Sequence, residues 1–415
     1  MSAAPPSPSS YAARHHDQSR LSAAALHAAL RHAAWLEMYG PTSWDAHDLW
    51  ANPVGRRAKA VYYRHRWLGL PLVAPFVLLD TALPATRKLL WHRQRFPIAD
   101  AHYAMGFFAL AQAHDPAWSS RGQQHLAALL DQRCPGEPEH CWGYPFDWQT
   151  CFGTWKAGTP LITSTPYAYE AAEAAYATTA EPRYLAIMES IARFAYARIP
   201  STEIAPGVRA SAYSPYDSRR VVNASAYRGF LLAAAGSRFA ADEWLAEARA
   251  TLAFVLYSQR PDGSWLYAMD GKDAFVDNLH TCLVLKNLIK AWRVLGDSDL
   301  LAAAFRGYAS YKSSLLDSAG LPVPFAYSER PTLQRRELYD YAEGINLALL
   351  LADVDPEASA IGTALLTEVL RRWVLPDGHF VTRETMCGRN TVPYHRWAQA
   401  QMFRALVLVA VRETN

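Results

Sequence analysis

The chain of 415 residues is 51% hydrophobic and carries a formal charge of +3, which is enough apolar material for a large core and too little charge for a nucleic-acid footprint. No basic stripe interleaved with aromatics is present, so nucleic acid is excluded as a partner. The five cysteines, Cys134, Cys141, Cys151, Cys282 and Cys387, are scattered and odd in number and include no CxxC pair. That is the usage of reduced thiols in a cytoplasmic protein, and neither a metal nor another cofactor is expected, because the spacing of Cys134, His140, Cys141 and Cys151 fits no metal site.

Residues 1–20, rich in Ser, Pro, Ala and His, are expected to be disordered and to carry no secretory signal. LSAAALHAALRHAAWLEM (21–38) has apolar residues at helical spacing and stops at Gly40-Pro41, which predicts a first short helix. The turn-rich piece that follows (39–57) holds two Trp and two Asp and is suited to reach over a binding surface. Next comes the most hydrophobic run, WLGLPLVAPFVLL (67–79), with Arg56, Arg57, Lys59, Arg64 and Arg66 before it and Arg87, Lys88, Arg93 and Arg95 after. It is too short, and too interrupted by Pro71 and Pro75, to span a bilayer as a helix. Either it packs as a buried connection or it dips into an anionic membrane surface with its cations on headgroups. Residues 21–82 thus form an N-terminal helical and irregular extension.

From there the chain repeats itself. Strongly apolar helices are predicted to begin near Asp100, Thr165, Ser225, Asn278, Asp340 and His395, at intervals of 53 to 65 residues. Five of them are followed by a more amphipathic helix. The sixth amphipathic position is assigned to the segment around Leu83–Arg95. Six inner and six outer helices make an all-α fold, an (α/α)6 toroid over 83–415 with short β-hairpin loops at one end. Inner-to-outer links are short, whereas outer-to-inner links are long, aromatic and polar, so the long loops share one end of the toroid. Inner-helix N-termini point into the same funnel and favour carboxylates or anionic groups there.

The first long loop, CWGYPFDWQTCFGTWKAGTPLITSTPYAY (141–169), concentrates Trp, Tyr and Phe beside an Asp and a Gln, a composition suited to flat polar rings such as sugars. Two or three carboxylates converging on an aromatic funnel are what glycoside hydrolysis requires, one protonated and one ionised. Asp147, Asp277, Asp340 and Glu343 are the candidates, with Glu343 one helical turn after Asp340. Epimerisation beside a carboxylate needs instead an acid, a base and a cation, which Tyr144, His280, Tyr339 and Arg396 could supply. Trp142, Trp148, Gln149, Tyr169, Asn223, Trp265, Tyr267, Asn278, Tyr394 and Trp397 complete the expected substrate-binding wall. Asn223, Asp277 and Asp340 have the competing role of helix N-caps. Arg383, Arg389 and Arg396 are candidates for binding an acidic sugar, with the competing role of solvated loop charges.

The segments CWGYPFDWQ (141–149), AYSPYDSRRVVNASA (212–226), QRPDGSWLYAMDGKDAFVDNLHT (259–281), YDYAEGI (339–345) and YHRWAQAQMFRAL (394–406) resemble the (α/α)6 six-hairpin proteins of bacterial exopolysaccharide and capsule clusters, including the Vibrio polysaccharide-locus protein. The chain is more distantly similar to glucuronyl C5-epimerases and unsaturated-uronyl hydrolases. The resemblance implies a carbohydrate-active protein of extracellular polysaccharide assembly, acting on a glycan or a lipid-linked oligosaccharide in the cytoplasm or at the inner membrane face. Hydrolysis is expected ahead of C5-epimerisation, and a non-catalytic glycan-binding subunit is the alternative of a different class. QRPDGSW (259–265) also looks like the structural QW repeat of terpene cyclases, a remote alternative because no Asp-x-Asp-Asp motif accompanies it.

Overall fold

The computed structural model describes residues 8–271, 274–329 and 331–412. The chain opens with a long helix, α1 (Pro8–Tyr39), and then makes an excursion through α2 (Asp48–Ala51), α3 (Pro53–Arg64), α4 (Arg66–Ala82) and α5 (Arg87–Leu90). Inner and outer helices then alternate. α6 (Pro97–Ala113), α8 (Thr165–Thr179), α10 (Val222–Phe239), α12 (Asn278–Leu295), α14 (Leu338–Leu351) and α16 (Ala400–Arg412) form the inner ring. α7 (Trp118–Asp131), α9 (Pro182–Ala197), α11 (Asp242–Tyr257), α13 (Ser298–Ser314) and α15 (Pro356–Arg372) lie outside it. Each inner helix contacts the inner helix before and after it, and α16 returns to α6 to close the circle. This is the (α/α)6 toroid that the repeat predicts.

The sixth outer place belongs to α1, not to the segment around Leu83–Arg95. α1 packs on α16 and α15 through Ala25, Ala29, His32, Ala33 and Leu36, all buried and spaced to make one stripe. Its small residues let the neighbouring backbones approach closely. The segment expected in that place supplies only α5, because Pro84 starts a separate short turn and Pro97 begins α6. Leu83, Leu89 and Leu90 are exposed there. The expected disordered stretch 1–20 overlaps α1 from Pro8 onward, and residues 1–7 lie outside the described residues.

The long loops carry small antiparallel hairpins: β1 (Trp148–Thr150) with β2 (Gly153–Trp155), and β3 (Ser201–Ala205) with β4 (Val208–Ser211). Two further sheets tie one loop to the next around the rim. β5 (Phe275–Asp277) pairs with β6 (Phe325–Ser328), and β7 (Gln334–Glu337) pairs with β8 (Arg383–Thr385), which continues to β9 (Gly388–Asn390). The register sets Glu337 opposite Arg383, so an acid and a base from distant loops become neighbours. The last inner helix departs from its expected start. Tyr394–Gln399 form an irregular turn with Ala398 at φ 126°, a conformation costly for any residue with a side chain. The turn is held by Ala398 N–H donating to Gln401 Oε1 and by Gln401 Nε2 donating to Arg396 O.

Candidate functional site

A cleft of about 470 Å³ opens where the inner helices begin. Asp277, Leu279 and His280 reach it from the start of α12, Glu337 and Asp340 from β7 and α14, and Arg383 and Thr385 from β8. Trp397 comes from the irregular turn, while His47, Trp50, Lys59, Val77, Asp80 and Thr81 come from the excursion. The α2–α4 excursion therefore forms one wall of the funnel.

Asp340 is the chemically distinctive group. It lies at the third position of α14 with 4% of its surface exposed, too far into the helix to cap it. Burial, followed by the charges of Glu337 and Asp277, raises its carboxyl well above the ordinary value, and Arg383 acts the other way. Asp340 is therefore a carboxylic acid that keeps its proton at pH values where an exposed Asp has lost it. Asp277 has a different environment. It is the N-cap of α12, where Oδ1 accepts the His280 backbone N–H at 3.0 Å and Oδ2 contacts His280 Nδ1 at 2.7 Å. The capping role and a place in the cleft wall are thus both realised by one side chain. The His280 ring is held against Tyr267 and Phe275, with centroids at 4.7 and 5.9 Å. Glu337 binds Arg383 Nε at 2.7 Å, and burial raises its carboxyl despite that cation.

Behind Trp397 lies a buried knot. Arg396 donates to both oxygens of Asp45 at 2.7 and 2.6 Å, and to His47 Nδ1 at 3.1 Å. His47 Nδ1 also lies 3.4 Å from Asp45 Oδ1, and burial lowers the pKa of that ring. The Arg396 guanidinium also lies 4.7 Å from the centre of the Tyr144 ring. Asp48 adds a second acid, whose Oδ2 accepts the Asp45 backbone N–H at 2.8 Å. Burial and the Asp45 charge push the Asp48 carboxyl up to about 7.

A group raised in this way lowers stability as pH rises. The unfolded chain releases the proton near 3.8 and the folded chain near 7, so between those values the native state binds more protons and loses ground with each unit. Asp48→Asn is expected to remove that decline and to gain a few (~1–4) kcal/mol at neutral pH. Urea unfolding at acidic and neutral pH checks it, with the largest difference between variant and parent at pH 7.

The structure brings Asp277, His280, Asp340, Tyr267, Tyr339 and Trp397 to the cleft or its immediate wall, with Tyr339 set edge-on to Trp397 at 5.3 Å. Asn223 faces a small recess beside Asp277 and His280. It does not bring Asp147 there. That carboxylate sits beside the β1–β2 hairpin, bound by Arg56, by Lys156 at 3.2 Å and by the Ala157 N–H at 3.0 Å. Glu343, fully buried one turn deeper, pairs with Lys286 of α12. Tyr144 backs Arg396, and Trp148 meets Tyr144 and Trp155 edge-on at 5.4 and 5.3 Å.

Other expected binding residues hold the fold. Trp142 donates to Leu129 O and Trp265 to Val255 O, at 2.7 and 2.9 Å. Gln149 bonds within its own hairpin to Thr150 O and Thr154, and Asn278 bonds to Leu315 O. Tyr169 is fully buried between helices, and Tyr394 is buried beneath the Arg87 guanidinium at 4.9 Å. The arginines expected on an acidic sugar are engaged already: Arg383 with Glu337 and Asp80, Arg389 with Glu384, Arg396 with Asp45. Gln259, ahead of Trp265, donates to Gly263 O and Ala303 O at 3.0 and 2.9 Å, the outer-helix tie that the QW likeness implies. His47, Asp80 and Glu337 were not anticipated. The Trp-Asp-Ala-His-Asp-Leu-Trp pattern at 44–50 was the available signal for His47.

No family model and no curated protein matches the sequence. Solved structures do match the fold. An unsaturated glucuronyl hydrolase from Bacillus sp. GL1, responsible for the degradation of glycosaminoglycan, aligns over 93% of this chain and 96% of its own, with TM-score 0.63 and 13% identity. A cellobiose 2-epimerase from Bacillus thermoamylovorans aligns over 78% and 90%, with TM-score 0.61 and 8% identity. A GH76 alpha-mannanase from Bacteroides thetaiotaomicron aligns over 76% and 86%, with TM-score 0.55 and 11% identity. What the chain shares with these enzymes is architecture: it has the six-hairpin, glycosidase-like (α/α)6 toroid fold.

Proposed function

We propose that this protein is an enzyme of bacterial extracellular polysaccharide assembly that hydrolyses a glycosidic bond in a neutral stretch of glycan or lipid-linked oligosaccharide. The observation that carries this reading is Asp340, a buried acid kept protonated beside Asp277 in the cleft. In the reaction Asp340 gives its proton to the glycosidic oxygen as the bond to the anomeric carbon breaks. Asp277, oriented by His280, takes a proton from the water that adds to that carbon, and exchange with solvent restores both groups. Trp50 and Trp397 offer flat faces for the sugar rings.

A neutral sugar is favoured over a uronate because, with Asp340 protonated, three further acids, Asp80, Asp277 and Glu337, line the cleft against Lys59 and Arg383. Arg383 is already shared by two of those acids. The same count weighs against C5-epimerisation, which needs a cation to neutralise the uronate. Work at the inner membrane face on a lipid-linked precursor suits the reading equally well as work on free polymer.

The test is product formation from neutral and uronate-containing oligosaccharides, with Asp277→Asn as control. Cleavage of a neutral glycan that falls about 10²-fold or more in the variant, with binding retained, supports hydrolysis. Binding of the same glycan with no turnover by either protein identifies a glycan-binding subunit instead. C5 exchange from solvent deuterium on a uronate would establish epimerisation.

A further inference from the structure

α4 presents to solvent an apolar face that none of the described residues covers. Gly69 and Val73 turn inward, and Gly69 lies so close to α3 that a Cβ would fall on the Tyr62 backbone. The two helices are therefore clamped as a hairpin. Outward stand Leu68, Leu70, Leu72 and Leu78, with Trp67 84% exposed, and the chain continues through exposed Leu83 to Leu89, 88% exposed. An indole and so many leucines left in water on one segment mark an interaction surface, not scattered exposure. The buried connection that the sequence allowed is not what this segment forms.

The charge on this segment says what covers the face. Residues 40–96 carry nine Lys and Arg against three Asp, a formal +6, while the rest of the chain, with 32 against 35, is −3. Asp45 and Asp48 are buried, and Asp80 is bound by Arg87 and Arg383. Arg57, Arg64, Arg66 and Lys88 are exposed beside the leucines. An apolar face rimmed by exposed cations is complementary to an anionic lipid surface. No single described helix is long and apolar enough to cross a membrane, and α4 with the following short helices passes that test only as a pair bent by 98°.

We infer that the α3–α4 hairpin and the turn after it dock this protein on an anionic membrane, apolar side down. The C-terminal end of the same helix supplies Val77, Asp80 and Thr81 to the cleft, so docking sets the funnel mouth beside the headgroups, where a lipid-linked saccharide presents its sugar. The membrane contact itself does not depend on the hydrolytic reading, and its failure leaves that reading standing.

Flotation of the full-length protein with vesicles tests it. Binding is expected to phosphatidylglycerol-containing vesicles, to weaken with salt, and to be about tenfold or more weaker on pure phosphatidylcholine. Leu68→Asp/Leu72→Asp should abolish flotation, and Arg64→Glu/Arg66→Glu should weaken it about tenfold or more. Met38→Asp, which removes an exposed apolar side chain from α1, should float like the parent. Circular dichroism reports whether each variant is folded. Absence of binding to anionic vesicles at low salt overturns the proposal, as does a dimer that Leu68→Asp/Leu72→Asp splits while vesicle binding is nil.

Discussion

Asp340→Asn is expected to lower turnover by about 10²–10⁴-fold while leaving glycan affinity and fold in place. The amide occupies the volume of the carboxyl but has no proton to give to a leaving oxygen. Stability should move the opposite way. The unfolded chain releases the Asp340 proton near 3.8, while the folded chain holds it to a much higher pH because of burial and the charges of Glu337 and Asp277. Across that interval the native state binds the extra proton, so stability declines as pH rises. The asparagine variant lacks the decline and should be at least as stable as the parent near neutrality. Kinetics paired with urea unfolding separate the roles, since a residue that merely holds the cleft together would lose stability and activity at once. A parent rate that declines on the alkaline side as Asp340 ionises, and a weak residual rate in the variant that lacks that decline, would complete the case. Full turnover by Asp340→Asn would remove Asp340 as the acid.

Asp340, Asp277, His280 and Trp397 were legible because they sit at or just before the starts of inner helices. A repeat of helices apolar on every side places all such starts around one axis, whatever the details of packing. The residues of the first long loop were not. Trp142 found a carbonyl on α7 for its indole N–H, and Gln149 bonded within its hairpin, because a loop of that length has backbone enough to satisfy itself. Asp147 met Arg56 and Lys156 on the rim before it could reach the axis. Glu343 shares a helix face with Asp340 but lies a turn deeper, where Lys286 neutralises it.

His47, Asp80 and Glu337 depend on long-range events, namely the fold of the excursion and the β7–β8 register, that no local spacing reports. The ring closure shows the same limit. The choice between α1 and the segment around Leu83–Arg95 rested on which stripe could be buried. Nearness in sequence to α6 pointed to the wrong one.

Arg396 carries the other large effect. It opens the last repeat as the sequence suggests, but its partner is Asp45, 351 residues away and with none of its surface exposed. Burial alone would push the Asp45 carboxyl up. Arg396 and His47 outweigh it and hold the group well below its usual range, so this pair supports the fold above about pH 4 and is lost as acid protonates Asp45. Arg396→Ala strands that carboxylate and is expected to cost about 3–5 kcal/mol in urea unfolding at neutral pH, a large part of the ~5–15 kcal/mol that a folded protein typically has. The dependence on pH should also reverse, because an unpaired buried Asp45 takes up a proton and the variant then gains relative stability as pH falls.

Asp45→Leu/Arg396→Met, which removes both charges and fills the space, should recover most of the loss. Activity should not recover with it, since Arg396 holds His47 Nδ1 and the turn that carries Trp397 into the cleft. A double variant as unstable as Arg396→Ala would mean that the guanidinium supports the fold chiefly through the Tyr144 and Trp397 rings beside it, and not through its ion pair.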